Sequence, residues 1–278
     1  MSNNSTDRNE VSPEPGAGGV ARLFAVLRCL ADVPEGGEKV TRLAQAVGLS
    51  QPTTHRLLRS LVDEGMVEQD ARSKRYRLSL EFFALAARAG HSGNLRDLVR
   101  PSLLRLSAAL GDSLFLLART GFDAICLDRS EGPYPIRTFT GDIGGRVALG
   151  VGQGSLAILA FLADEERETV IRYNLPRLQD FHLYDEVFLR AEIDSVRQLG
   201  YAGRNTNILP GMAGLAVPIL DRNGLAVAAL SVATLSDRLG PDRLPTVVDM
   251  LKREASAIGP RIDPFDPTLR RPSQVFGG

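Results

Sequence analysis

Side chains that can hydrogen-bond to DNA recur along residues 51–59 at the spacing of one helix face. On a helix of 3.6 residues per turn, the arginines of this stretch lie opposite an apolar face, and arginine binds guanine edges or phosphates. The apolar face consists of Thr54, Leu57, Leu58, Leu61 and Val62. The expected base contacts are Gln51, Pro52, Thr53, His55 and Arg56, and the expected phosphate contacts are Arg59, Arg72, Lys74 and Arg75.

A tight turn joins this helix to a shorter helix before it. Thr41 can cap the shorter helix, Gly48 can take the left-handed conformation that ends it, and Ser50 can cap the next one. Pro52 falls in the first turn, where a missing amide costs little. This layout predicts a helix-turn-helix, in which the second helix enters the major groove. The alternative is an ordinary helical hairpin whose arginines are merely solvated.

Residues 66–79 predict a β-hairpin directly after the second helix. Its tip carries Arg72, Lys74 and Arg75, which suits phosphates or a minor groove. Residues 41–80 have seven basic and four acidic side chains, a net of +3, whereas the whole chain has 33 of each. This segregation of charge favours a DNA-binding head with a wing over the helical hairpin.

The composition is that of a soluble globular protein. The chain has 278 residues, of which 44% are hydrophobic and 24% charged, enough for one large domain or two ordinary ones. Cys29 and Cys126 sit in apolar runs, so we expect two buried thiols rather than a disulfide, and a cytoplasmic location. No stretch approaches about 18 apolar residues, so neither a membrane span nor secretion is expected.

The sequence offers little for catalysis. His55, His91 and His182 are scattered, and no serine near them has the setting of a nucleophile. No Cys/His cluster has the spacing of a metal site, and no Gly-Lys-Ser/Thr occurs, which excludes a P-loop. We therefore expect no enzyme, no metal and no cofactor.

The remaining residues alternate between helical and strand patterns, which predicts an α+β class. An N-terminal helix at 20–31 would pack beneath the DNA-reading helices. Residues 160–200 carry nine acidic and five basic side chains, a net of −4, so this part should not touch DNA. Further helices are expected at 80–89, 95–110, 155–162, 165–173, 186–199 and 244–258, and strands at 114–118, 124–128, 136–140, 213–220 and 225–233.

The chain resembles the IclR family of bacterial transcription regulators over residues 20 to about 258. The N-terminal part of the resemblance lies in TRLAQAVGLSQPTTHRLLRSLVDEGMV and the following YRLS strand. The C-terminal part lies in GDIGGRVALGVGQGSLAIL (141–159), LGYAGRNTNILPGMAGLAVPILDRNG (199–224) and AALSVA (228–233).

The resemblance implies a winged helix-turn-helix joined to an effector domain related to GAF-type sensors. It also implies dimers or tetramers on palindromic double-stranded operators, and small organic acids, often aromatic, as effectors. The expected layout is a disordered tail at 1–18, the winged helix-turn-helix at 19–80, a helical linker at 81–111, an effector-binding and oligomerisation domain with an antiparallel sheet at 112–260, and a flexible tail at 261–278.

A glycine-rich loop that opens a helix is the expected effector site. Free amides at a helix N-terminus attract anions, and glycines let a ligand approach the backbone, although close packing of the helix on a sheet explains the glycines equally well. The family has Pro-Leu-His, Gly-Lys-Ala and an acidic residue where this chain has Ala148-Leu149-Gly150, Gly154-Ser155-Leu156 and Asn207. The expected effector contacts are Gly145, Ala148, Gly152, Gly154, Ser155, Asn205, Asn207 and Ser231.

Two alternatives to a ligand-responsive regulator remain open. The departures from the family pattern favour a constitutive DNA-binding protein whose sensor-like domain only oligomerises. The second alternative is a GAF-like enzyme or nucleotide sensor fused to a DNA-binding head.

Overall fold

The computed structural model describes residues 18–34, 36–89, 95–133, 142–178, 185–203 and 211–262, and they form two compact units that divide between residues 92 and 93. The expected strand at 136–140 lies outside these ranges. So do the expected tails, apart from Gly18, Arg261 and Ile262.

The first unit is a small helical domain with a two-stranded hairpin. Its apolar core joins the first three helices to the hairpin through Val26, Leu43, Leu58 and Tyr76. This confirms the predicted winged helix-turn-helix. In chain order the elements are α1 (Gly19–Ala31), α2 (Val40–Ala46), α3 (Gln51–Asp63), β1 (Val67–Gln69), β2 (Tyr76–Leu78) and α4 (Leu80–Ala89).

The turn between α2 and α3 forms as the residue types predict. Gly48 has φ 64°, in the left-handed region that glycine adopts most easily. Ser50 caps α3, since its Oγ accepts a hydrogen bond from the Thr53 amide at 3.3 Å. The predicted cap at Thr41 is wrong: α2 already begins at Val40, its N-cap residue is Lys39, and the Lys39 side chain makes no capping hydrogen bond.

The second unit is built on a five-stranded antiparallel sheet with strand order β5-β4-β3-β7-β6. The predicted hairpins β3–β4 and β6–β7 are both present. The observed bounds are α5 (Leu95–Leu110), β3 (Ser113–Thr120), β4 (Asp123–Ser130), β5 (Arg146–Ala148), α6 (Gly152–Ala160), α7 (Asp164–Leu178), α8 (Glu186–Leu199), β6 (Met212–Leu220), β7 (Ala226–Leu235) and α9 (Leu244–Ile258).

Helices cover both faces of this sheet, because the strands alternate apolar side chains between two cores. Leu114 and Leu116 of β3 point into one core, which α5 and α9 complete with Val99, Leu103 and Leu251. The other core holds Phe115 and Leu117 of β3, together with side chains of α6, α7 and α8. The predicted α+β class is therefore confirmed.

A buried carboxylate joins four elements at one end of the second unit. Asp112, 1% exposed, lies between α5 and β3. Its Oδ1 accepts hydrogen bonds from Thr234 Oγ1 at 2.8 Å and Arg238 Nε at 3.0 Å, and its Oδ2 accepts one from Arg243 Nη2 at 2.7 Å. Two arginines thus neutralise one carboxylate that is almost fully removed from water.

Both cysteines are free thiols, and Cys126 is buried as expected, whereas Cys29 is only half-buried. Burial raises the pKa of the Cys126 thiol to about 11, so this thiol stays protonated at neutral pH. Among the helices that the structure describes, none is both long and apolar enough to cross a membrane.

Candidate DNA-binding surface and effector site

The polar face of α3 is open to solvent along its whole length. Gln51, Pro52, His55, Arg56 and Arg59 are exposed, while Thr53 is half-buried and the opposite face is packed into the core of the first unit. The structure thus brings the expected base-contacting residues together on one surface. Ser50 accepts a hydrogen bond from the Thr53 amide, which the helix itself leaves unpaired, and this bond fixes the first turn of α3. The first turn is the part of a recognition helix that approaches base edges.

The hydroxyls of Ser50 and Thr53 are themselves hydrogen-bonded, with Ser50 Oγ donating to Thr53 Oγ1 at 2.9 Å. Ser50→Ala removes this bond and the cap, so we expect it to lower the free energy of unfolding of the first unit by about 1 kcal/mol. Chemical denaturation followed by circular dichroism measures this loss. Ser50→Asp, which keeps an acceptor at the cap, should retain most of the stability. Equal losses for both variants would contradict the capping role.

The wing tip is a fixed turn that presents two basic side chains. Asp70 Oδ1 accepts hydrogen bonds from the amides of Ser73 at 2.6 Å and Arg72 at 3.2 Å. The bond from Ser73 is the largest cause of the lowered pKa of the Asp70 carboxyl. Lys74 takes φ 56°, which closes the turn. The side chains of Arg72 and Lys74 are exposed and form no ion pair with any residue in the described ranges.

Arg75 and Arg59 have partners within the first unit. Arg75 Nη1 donates to Gly37 O at 2.9 Å and lies 3.8 Å from Glu38 Oε1. Arg59 Nε lies 3.8 Å from Asp63 Oδ1, one turn further along α3, and both side chains are well exposed. The Arg59 pair can open at little cost, since exposed ion pairs contribute about 0–1 kcal/mol.

One basic side chain that we did not assign from the sequence lies beside this surface. Arg42 is exposed on α2 and makes no ion pair within the part of the chain that the structure describes. The first helix of a helix-turn-helix crosses the DNA backbone, so Arg42 is placed for a phosphate contact. The charge count over 41–80 included it, but sequence spacing gave no sign of its orientation.

The expected effector loop turns into α6 through two glycines with positive φ, Gly150 at 112° and Gly152 at 74°. Ser155, 1% exposed, is engaged by this loop, since its Oγ donates to Val151 O at 2.6 Å and accepts from the Gly150 amide at 3.1 Å. The hydroxyl therefore fixes the loop, and only the backbone amides of the first turn of α6 remain as anion-binding groups there.

Gly154 lies where α6 rests on the sheet. A Cβ at this position would come within 2.0 Å of Leu117 Cδ1 and 3.4 Å of Ser231 Cβ. A Cβ at Gly214 of β6 would lie 3.1 Å from Gln153 Oε1, so the Gln153 amide faces that strand. Close packing of α6 on the sheet thus accounts for Gly154, as the alternative to ligand approach predicts.

The other expected effector residues are spread along the loop and the edge strand. Ala148 is buried at the end of β5, opposite Asp123 of β4. Gly145 lies just before β5, and its carbonyl accepts a hydrogen bond from the Cys126 amide at 2.9 Å. Asn205 and Asn207 lie outside the described residues.

A buried asparagine, which the sequence pattern does not indicate, fastens the glycine-rich loop before α6. Asn174 of α7 is fully buried, and its Nδ2 donates to Leu149 O at 3.0 Å and to Phe122 O at 2.7 Å. Its Oδ1 accepts a hydrogen bond from Arg177 Nη1 at 2.8 Å, within α7 itself. An asparagine in a polar helix gives no sequence signal for such a contact.

A winged helix-turn-helix with an exposed polar recognition face defines the first unit as a DNA-binding domain. The second unit has the layered helix and sheet architecture of a separate domain, with a glycine loop at the start of α6. The chain thus combines a DNA-binding domain with a second, separately folded α+β domain.

Comparison with known proteins identifies the family. The profile described as IclR helix-turn-helix domain matches residues 19–71, and the profile described as bacterial transcriptional regulator IclR C-terminal matches residues 87–259. The chain belongs to the IclR family of bacterial transcription regulators. It is therefore a DNA-binding transcription regulator and not an enzyme.

Relatives match along most of their length. The HTH-type transcriptional regulator KipR of Bacillus subtilis is 28% identical over 224 residues, 80% of this chain and 89% of KipR. The regulator KdgR of Dickeya chrysanthemi is 28% identical over 248 residues, 89% of this chain and 80% of KdgR. The same fold occurs in an IclR homologue of Microbacterium hydrocarbonoxydans complexed with 4-hydroxybenzoate (TM-score 0.72, 23% identity, covering 86% of this chain and 97% of that one).

Proposed function

We propose that this regulator is ligand-responsive, binds a palindromic operator as a homodimer or homotetramer in the cytoplasm, and senses a small organic acid. The observation that carries the ligand proposal is the start of α6, where Gly152 and Gln153 are half-buried and open the helix with first-turn backbone amides that have no acceptor in a preceding turn. The 4-hydroxybenzoate held by the Microbacterium homologue supports a carboxylate as the ligand class. The signal would pass to the head through residues 80–110.

We propose that Gln51, Pro52, Thr53, His55 and Arg56 contact base edges. Their common exposed surface at the start of α3 supports this assignment, since this end of a recognition helix enters the major groove. We propose that Arg59, Arg72 and Lys74 hold phosphates and that Arg42 adds a further phosphate contact. All four side chains are exposed.

Arg72→Ala is expected to weaken binding to all DNA sequences alike and to reduce the slope of log affinity against log salt by about one. The reason is that each phosphate contact releases about one counterion. Fluorescence anisotropy with a mixed-sequence duplex at several salt concentrations measures the slope. Arg172→Ala is the matched control, because Arg172 is exposed on α7 in the acidic part of the chain. An equal loss of slope for Arg172→Ala would rule out the wing as the contact.

Exposed apolar side chains in the head support the proposal of a homo-oligomer. Val20 and Phe24 of α1 are 70% and 49% exposed, and Leu80 of α4 is 82% exposed. Two heads must reach half-sites about 34 Å apart, or a multiple of that, on a palindrome. Light scattering after gel filtration gives the number of chains, and selection from random duplexes gives the half-site spacing.

A constitutive regulator is the second candidate, because Ser155 is hydrogen-bonded within its own loop and Gly154 is packed on Leu117. Thermal unfolding with carboxylic acids at matched ionic strength separates the two, with 4-hydroxybenzoate in the set. A ligand at about 100 times its dissociation constant stabilises the folded state by about 2.7 kcal/mol. A rise in melting temperature together with altered operator affinity supports the ligand-responsive regulator. No response to any acid supports the constitutive one.

A further inference from the structure

Arg75 occupies a different environment from the other basic residues of the wing. It directly precedes β2, and its side chain is 41% exposed. Its guanidinium is turned toward the body of the unit, where Nη1 donates to Gly37 O at 2.9 Å and lies 3.8 Å from Glu38 Oε1. Arg72 and Lys74, by contrast, are exposed and make no ion pair with any described residue.

The partner of Arg75 belongs to the segment that leads into α2. Glu38 pairs with Tyr76 of β2 through reciprocal backbone hydrogen bonds of 2.9 and 2.8 Å. This segment therefore lies beside β2 and is joined to it by a single antiparallel bridge. Glu38 Oε1 also accepts a hydrogen bond from the amide of Lys39 at 2.8 Å, directly before α2 begins. The bond from Arg75 to Gly37 therefore joins the turn end of the wing to the segment that precedes α2.

The accepting carbonyl is held in place by close approach of the two backbones. Gly37 is buried with φ 72°, and a Cβ there would lie 2.7 Å from Tyr76 O. Only glycine fits both the conformation and the space. The guanidinium of Arg75 thus donates to an acceptor whose position is set by the strand pairing.

We propose that Arg75 is a positioning residue for DNA binding rather than a phosphate contact. It fixes the wing against the segment before α2, so that Arg72 and Lys74 meet phosphates at a set distance from α3. Preorganisation of this kind raises affinity by reducing the ordering that binding requires. The inference rests on the proposed phosphate contacts of Arg72 and Lys74.

The test is a mutant cycle in which Arg75→Ala is made in the wild-type chain and in the Arg72→Ala/Lys74→Ala chain. Affinity for a mixed-sequence duplex is measured against salt. In the wild-type chain we expect Arg75→Ala to weaken binding about tenfold, the scale of a lost charge-assisted hydrogen bond. In the double-mutant chain we expect no further change in affinity or slope, because the wing has no contacts left to position.

A neutral variant separates the hydrogen bond from the charge. Arg75→Gln keeps a donor for Gly37 O, so it should bind more tightly than Arg75→Ala. A further loss of about 0.9 in salt slope when Arg75→Ala is added to the double mutant would show a direct phosphate contact and overturn the proposal. Equal losses of affinity in both backgrounds, with lower melting temperatures, would also overturn it in favour of a folding role alone.

The same data distinguish failure of the underlying assignment. If Arg72→Ala/Lys74→Ala leaves the salt slope of the wild-type chain unchanged, the wing makes no phosphate contacts. That outcome overturns the proposed contacts, and the role of Arg75 with them. It is read from the double mutant alone, before Arg75 is varied.

Discussion

Asp112→Ala is expected to lower the free energy of unfolding of the second unit by about 2–3 kcal/mol, because it leaves the buried Thr234 hydroxyl without its acceptor and two partly exposed arginines without their counter-ion. Arg238 and Arg243 both bind the Asp112 carboxylate, as does the hydroxyl of Thr234. The carboxylate joins the end of α5 to β3, to β7 and to the start of α9. Calorimetry of the full chain measures the loss.

Asp164 provides the matched control, since it also pairs with two arginines but lies at the surface. Its side chain is 81% exposed, with Arg167 at 2.8 Å and Arg197 at 3.5 Å. Exposed pairs contribute little, so Asp164→Ala should leave the unfolding transition nearly unchanged. If the two aspartate variants had similar transitions, burial would not be the source of the stability that we assign to Asp112.

Gly154→Val is expected to destabilise the second unit by about 1–3 kcal/mol and to abolish any ligand response. A Cβ at this position meets Leu117 Cδ1 at 2.0 Å, and Leu117 is itself 5% exposed, so Leu117 or α6 must shift within a packed core. A shift of α6 displaces the loop from Gly150 to Gly152. The measurements are chemical denaturation and the shift in melting temperature with carboxylic acids.

A second substitution tests whether contact with Leu117 is the cause. Leu117→Ala removes the atoms that a side chain at position 154 would strike. The double variant should therefore lose less stability than the two single variants lose together. Gly240→Ala serves as the control, because a Cβ there meets nothing within 4 Å. Strict additivity of the Gly154 and Leu117 effects would mean that the helix is strained for another reason.

The first unit could be predicted from sequence because its signals are local. Gly48, Ser50 and Pro52 each determine the backbone at their own position, and together they fix the turn and the start of α3. The prediction went wrong at Thr41, where residue type alone placed the cap one residue inside the helix. The partner of Arg75 could not be predicted, since Gly37 lies 38 residues earlier in the chain and meets it only through strand pairing.

The second unit was predicted less completely because tertiary contacts override local signals there. A helix ending at Tyr173 was expected, yet α7 continues through Pro176 to Leu178, where buried Asn174 and Leu178 hold its last turns in place. Strand β5 was missed because it has only three residues. The glycine loop was found by composition, but the engagement of Ser155 with its own loop depends on atomic positions that composition does not encode.

Helix α5 is fastened near both of its ends by charged side chains. Near its start, Arg100 Nη1 lies 2.9 Å from Oδ1 of the fully buried Asp128, and Arg96 Nε lies 3.6 Å from Oδ2. At its end, Leu110 O accepts a hydrogen bond from Arg243 Nη2 at 2.6 Å. Helix α5 is thus held at two places, so displacing it against the sheet breaks charged hydrogen bonds at one end or the other. We therefore expect α5 and the sheet of the second unit to move together as one body.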